Sequence, residues 1–385
     1  LISLAFLMPL TVFGANLVIV LTCVLWLISG EYQAKFNKIF KNKLTLASIC
    51  FFCLHVIGLA WSEDLKWGLH IVHKMWYFFL LFPILFTIVK KKYIRYYLYS
   101  FFLAIAFTEI VSYLVWFELI PPIKNATVAN PTPFMSHVSY NPILVFAIYL
   151  VGHEVLLNKK LKNFKFILYS FFLITMTINM FITGGRAGQV MFFVMLSILI
   201  FQFFDKQKIK SLFAIAIIIP LIFFTAYQSS DIFQFRVDSA VKNTINYEFE
   251  KNTSVGHRIS YTTNSWKIIK KNPLIGIGTG DFPIEYNKIK QIHTPQTPNS
   301  TNPHNMYTLV LVQLGLLGLI SLLSIFYYQI KLSFSSSNKF IRDTALTLPL
   351  LFLVIMFSDS YLLGHYTTLM YVFFSSFLYQ DFEKS

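Results

Sequence analysis

Apolar residues fill this chain in long blocks parted by short polar breaks, at about 1–13, 15–29, 44–60, 70–89, 95–117, 137–156, 164–182, 186–204, 209–227, 304–330, 343–358 and 364–379. Most approach the roughly 20 residues that a helix needs to cross a bilayer. The pattern predicts an all-α polytopic membrane protein with about twelve transmembrane helices. Gly14 and Asn16 leave open whether the first two blocks are short helices joined by a turn or one long tilted helix. A single extended polar stretch, 228–303, predicts a large external loop within one membrane domain, 1–385. Inside that loop Val255, Ile259, Thr262, Trp266 and Ile269 recur at helical spacing, which predicts an amphipathic helix, able to lie on the membrane or over the helix bundle, flanked by Arg258 and ending near Lys270-Lys271-Asn272-Pro273. The following Gly276-Ile277-Gly278-Thr279-Gly280 has no strand–helix–strand unit around it and reads as a backbone turn that folds the loop back.

Composition supports the membrane class, because 56% hydrophobic residues against 13% charged ones is more apolar surface than a water-soluble fold of this length uses. The net charge of +15 would point to nucleic acid in a soluble protein. Here its distribution points instead to membrane lipids as surroundings and to orientation, with no nucleic-acid partner. With twelve spans and both ends inside, the inner connections hold 18 Lys and Arg residues and the short outer ones 3 (Lys66, Lys124 and Arg186). That asymmetry is the positive-inside pattern, and it puts 228–303 outside. The first apolar block has no charged leader before it, so no cleavable signal peptide is expected. Cys23, Cys50 and Cys53 lie in apolar runs with no partner set at metal-ligand spacing, and read as small buried hydrophobes.

Under this topology eight of the nine histidines, all but His153, fall in the outer half of a span or in an outer loop, with Glu109 and Asp359 on the same side. Ionisable groups in a membrane protein mark a pathway or a site, and crowding on one face argues for surface chemistry rather than for a transport route. His70, His73 and Lys74 share a helix face, although Lys74 reads equally as a snorkelling side chain. Glu109, among apolar neighbours, needs a partner from another helix such as Lys74, either as a structural ion pair or around substrate. The stretch Asn302-Pro303-His304-Asn305 opens a long apolar helix, with Asn302 as N-cap, Pro303 in the first helical position and His304 and Asn305 in the first turn. His304 then sits at the water-facing rim, at the positive end of the helix dipole, placed to accept a proton. Read more plainly, it anchors a helix end.

Two arginines carry the anion chemistry. Arg186 follows the tight turn Thr183-Gly184-Gly185 at a helix start, where exposed N–H groups and a guanidinium suit a phosphate. Arg258 lies on the amphipathic helix of the loop. His137, in the short outer loop, is a further candidate contact to donor or acceptor.

These residues resemble a known family. His304-Asn305, nine residues, Gly315, two residues and Gly318 resemble the H-[NSQ]-x9-G-x-x-G pattern of the bacterial O-antigen ligase family. The layout is similar too: about twelve spans, one large periplasmic loop before the motif helix, an arginine after a short glycine turn, and a loop arginine before a P-L-x-G-x-G-like segment, here Pro273–Gly278. The resemblance implies transfer of a glycan from an undecaprenyl-pyrophosphate carrier to a hydroxyl of the lipid A–core, at the periplasmic face of the bacterial inner membrane. It implies His304 as the base and Arg186 and Arg258 on the pyrophosphate, with Asn305, His137, Lys74 and Glu109 as further substrate contacts. The expected reaction is an inverting displacement without a metal or other cofactor, in keeping with the lack of a D-x-D motif.

Three rivals differ in sequence. An O-antigen polymerase resembles a pattern with two sizeable external loops carrying R-x10-G, but 118–136 is short and neither Arg236 nor Arg258 has a glycine eleven residues on. A protein O-oligosaccharyltransferase uses a similar histidine motif, often with more chain after it. A flippase or other transporter of lipid-linked glycans predicts ionisable residues through the depth of a central cavity.

Overall fold

The computed structural model describes residues 1–124, 126–246 and 252–380. Residues 247–251 of the large loop lie outside them. The described chain is helical throughout, its one β pairing being the isolated bridge Thr127–Asn130. In order the helices are α1 (Ile2–Leu7), α2 (Val12–Ile28), α3 (Tyr32–Lys41), α4 (Lys43–Ile57), α5 (Leu65–Trp76), α6 (Phe82–Ile88), α7 (Ile94–Trp116), α8 (His137–Leu157), α9 (Asn163–Ile182), α10 (Arg186–Phe204), α11 (Lys208–Ser229), α12 (Asp231–Ile245), α13 (Ser254–Lys271), α14 (Phe282–His293), α15 (Met306–Ser333), α16 (Lys339–Ile355) and α17 (His365–Leu378).

Among the described residues eight helical segments are long and apolar enough to cross a bilayer, and the pair α2 and α3, bent by 116°, makes a ninth if counted as one span. The protein is therefore a polytopic helical membrane protein. The first apolar block does not form a spanning helix: α1 has six residues, about 9 Å of helix, and the Thr11 hydroxyl, accepting from Gly14 N–H at 3.3 Å, starts α2 separately. The last two blocks form α16, 17 residues, and α17, 14 residues. Pro83, Pro142, Pro220 and Pro349 sit inside helical segments, which a bundle tolerates where neighbouring helices absorb the lost backbone bond.

The core runs along α8, α15, α16 and α17, where Tyr140, Phe146, Phe326, Phe352 and Phe374 are fully buried. By contrast α11 turns Ile209, Phe213, Ile217, Leu221 and Phe224 outward, as a lipid-facing helix does.

The polar stretch folds over one rim of this bundle. Helix α13 covers the expected amphipathic segment, but its buried stripe is Gly256, Ser260, Tyr261, Asn264, Ser265, Ile268 and Ile269. Of the expected apolar face Ile269 is buried, whereas Trp266 is 53% exposed. Small side chains on this stripe let α13 pack closely on α14 and α15.

The glycine-rich segment folds back as expected, and the reason lies in α15. Gly315 breaks that helix with φ 60°, ψ −155°. The broken ladder is filled from 273–278: Leu316 and Leu317 donate to the carbonyls of Pro273 and Leu274 at 2.9 and 3.2 Å, and Ile277 and Gly278 donate to those of Val312 and Gln313 at 2.9 and 3.0 Å. The backbones are so close that a Cβ on Gly315 would stand 2.3 Å from the Leu274 carbonyl carbon, and one on Gly276 2.4 Å from that of Gln313. Asp281 completes the fastening by accepting from Ser62 Oγ and from the N–H groups of Glu63 and Asp64 at 2.7–2.9 Å.

Candidate functional site

His304 stands just before its helix instead of in the first turn. Asn302 Oδ1 accepts the His304 N–H at 2.9 Å, which holds His304 in the left-handed region at φ 53°. The N-cap is Asn305, whose Oδ1 accepts from Thr308 N–H at 3.0 Å while its amide donates to the Phe357 carbonyl at 3.3 Å. Side-chain bonds of Asn302 and Asn305 to nearby N–H groups outcompete a longer helix here. Asn305 thus works as a cap.

The imidazole has two neighbours. Its ring stacks with Tyr261 of α13 at 5.7 Å between centroids, and its Nδ1 lies 3.3 Å from Oδ1 of Asp359. Asp359 follows α16, on the same rim, and also accepts from Ser360 N–H at 2.7 Å. Burial alone would raise the Asp359 carboxyl. The close approach and charge of His304, the Ser360 N–H and the charge of Arg258 outweigh burial and hold it below its ordinary value. Nδ1 is the ring nitrogen nearer this carboxylate, and Nε2 is the nitrogen farther from it. Local sequence gives no signal for this pairing, because the two residues approach only through the packing of α15 on α16.

The arginines converge on the same rim. Arg186 opens α10 and donates through Nη2 to Ser254 Oγ, in the first turn of α13, at 2.5 Å. Arg258 is one turn further along α13, within electrostatic range of Arg186, Asp359 and Tyr361. Arg236 of α12 joins them: it acts on Arg186 and His137, and its guanidinium packs 3.0 Å from where a Cβ on Gly184 would be. Sequence reasoning tested Arg236 only against a spacing pattern and missed this position. Three guanidinium groups and one Asp–His pair therefore share one rim, joined by the first two turns of α13.

The glycine turn before Arg186 is fixed from behind. Gly184 N–H donates to Asn130 Oδ1 at 3.0 Å, and Asn130 Nδ2 donates to His137 Nδ1 at 2.9 Å. Asn141 donates to the Gly185 carbonyl at 3.3 Å and leaves no room for a side chain on Gly185 or Gly188. His137 thereby supports the arginine turn.

Lys74 lines a cavity of about 230 Å³ together with Trp67, Ser139, Asn302, Asp359 and Tyr361, beside the Asp–His pair. Glu109 is elsewhere, buried on α7 near Thr175, Tyr113 and Tyr140, with Oε1 lacking a hydrogen-bond partner among the described residues. It makes no ion pair with Lys74. An apolar groove of about 660 Å³ runs between α9 and α11, lined by Trp116, Ile178, Phe181, Leu221 and Ile222 together with Ser230 and Asp231.

A comparison with curated proteins finds no match. Residues 171–323, the stretch that carries Arg186, Arg258 and His304, match the family model described as O-Antigen ligase, which relates this chain to the O-antigen ligase superfamily.

Proposed function

We propose that this protein is an O-antigen ligase, which moves a glycan from an undecaprenyl-pyrophosphate carrier to a lipid A–core hydroxyl at the periplasmic face of the bacterial inner membrane. The superfamily relation supports an enzyme acting on lipid-linked glycans. The observation that carries the finer reading is the convergence of Arg186, Arg236 and Arg258 on the rim of the His304–Asp359 pair.

In this reading the carrier lipid lies in the groove below Phe181, and its pyrophosphate meets the arginines. The acceptor enters the cavity between Lys74 and Asp359. His304 Nε2 takes the hydroxyl proton as the acceptor oxygen bonds to the anomeric carbon from the face opposite the leaving group. The bond from that carbon to the pyrophosphate oxygen breaks, its electron pair stays on the pyrophosphate, and configuration inverts. Asp359 keeps the imidazole in the working tautomer and stabilises the positive charge it gains. The guanidinium groups meet the charge developing on the leaving group, so the step calls for no metal.

A ligase-null strain expressing His304→Ala, Arg186→Ala or Arg258→Ala at matched protein levels is expected to make uncapped lipopolysaccharide. Normal capping by His304→Ala removes the base assignment. Purified protein given a lipid-linked glycan with either rough lipopolysaccharide or a protein acceptor separates ligation from protein glycosylation, and elongation of the glycan without acceptor marks a polymerase.

A further inference from the structure

At the rim opposite His304, the start of α7, the end of α8, the α15–α16 turn and the end of α17 surround a second cavity of about 660 Å³. Four cations line it, Lys91, Arg95, Lys160 and Lys339, against a single acidic side chain, Glu154. Among the described residues none of the four forms an ion pair. Of the described acids nearby, Glu154 accepts from Asn158 Nδ2 at 2.7 Å, and Asp343 is held by the buried His153 Nε2 at 3.0 Å.

Positive-inside bias accounts for an excess of lysine on this side of a membrane protein. It does not account for four cations, without an ion pair among the described residues, from three separate connections around one hollow. Part of the wall is apolar: Leu98, Leu157 and Phe340 line the same cavity. Helices α7 and α16 also begin here, adding the positive ends of their dipoles.

We propose that this cavity is a phosphate-binding site, of the kind that takes the headgroup of an anionic phospholipid with its glycerol and upper acyl carbons against the apolar wall. It is separate from the transfer centre, since α15, 28 residues long, puts about 40 Å between the two rims. The proposal does not rest on the ligase reading.

The test uses the full chain, purified and placed in phosphatidylcholine nanodiscs with or without phosphatidylglycerol. Thermal stability and the lipid retained in native mass spectrometry are read. Phosphatidylglycerol is expected to be retained in preference to phosphatidylcholine and to raise Tm. Combined Lys91→Gln, Arg95→Gln, Lys160→Gln and Lys339→Gln is expected to lower retention about tenfold or more, whereas Lys159→Gln, Lys162→Gln, Lys208→Gln and Lys210→Gln, which remove the same charge outside the cavity, leave it nearly unchanged. If the fourfold variant fails to fold, the pairs Lys91→Gln with Arg95→Gln and Lys160→Gln with Lys339→Gln each show a partial loss. In detergent, inorganic phosphate that stabilises wild type but not the cavity variant, with no preference for phosphatidylglycerol, assigns the site to a soluble phosphate. Equal losses in the control variant, or no response to either probe, overturn the proposal.

Discussion

Nδ1 of His304 faces Oδ1 of Asp359 across 3.3 Å, and this pair joins the start of α15 to the end of α16. In the proposed mechanism this relationship orients His304 as the base. Asp359→Asn keeps the shape but offers an amide in place of the carboxylate, so the tautomer and the charge are both lost. A fall in transfer rate of about 10²–10⁴-fold is expected, with protein level and donor binding retained. Initial rates on purified variant and wild type check it; a loss within a factor of two or so would assign Asp359 to the fold alone.

Arg236, which sequence reasoning passed over, is expected to matter as Arg186 does. Arg236→Ala and Arg186→Ala should each reduce transfer by roughly 10²–10³-fold, as loss of one preorganised charge donor does. Arg186→Lys should recover little, because an ammonium cannot bridge Ser254 and a phosphate as a planar guanidinium does. Full activity in Arg236→Ala would restrict the anion site to Arg186 and Arg258.

The pH response follows from Asp359. Its folded pKa is depressed below the unfolded carboxylate value of about 3.9, so the ionised form binds its partners more tightly. That stability is fully present above the unfolded value and is lost as pH falls through the folded one. Unfolding midpoints of wild type and Asp359→Asn should therefore draw together as pH falls below about 4. A difference that persists undiminished down to about pH 2 would contradict the assignment.

Gly315 leaves no room for a side chain. Gly315→Ala must place a methyl against the Leu274 backbone at φ 60°, costing at least about 2 kcal/mol. Lower Tm and yield are expected, together with release of 273–278 detected as faster hydrogen exchange at Ile277 and Gly278. Wild-type stability in this variant would mean that α15 is not broken there.

Much of this was legible from the chain. Blocks of apolar residues gave the membrane class because a bilayer allows few alternatives to long helices, and the Gly184-Gly185-Arg186 turn stood out because few outer connections carry a cation. What the sequence hid is set by tertiary packing. Asp359 meets His304 only when α15 and α16 pack together, and Arg236 reaches Gly184 only because α12 returns over α9. In α13 the stripe packed against α14 and α15 is built of small residues, while Trp266 of the expected apolar face stays exposed. Gly315 and Gly318 read as part of a catalytic motif, yet Gly315 acts by letting a loop backbone replace a turn of helix.

The most direct measurement is the rate of glycan transfer by purified His304→Ala with donor and rough lipopolysaccharide both saturating. The account predicts a fall of about 10²–10⁴-fold with donor affinity unchanged, since the arginines still hold the pyrophosphate. A rate equal to wild type, or a loss explained wholly by weaker donor binding, would contradict it.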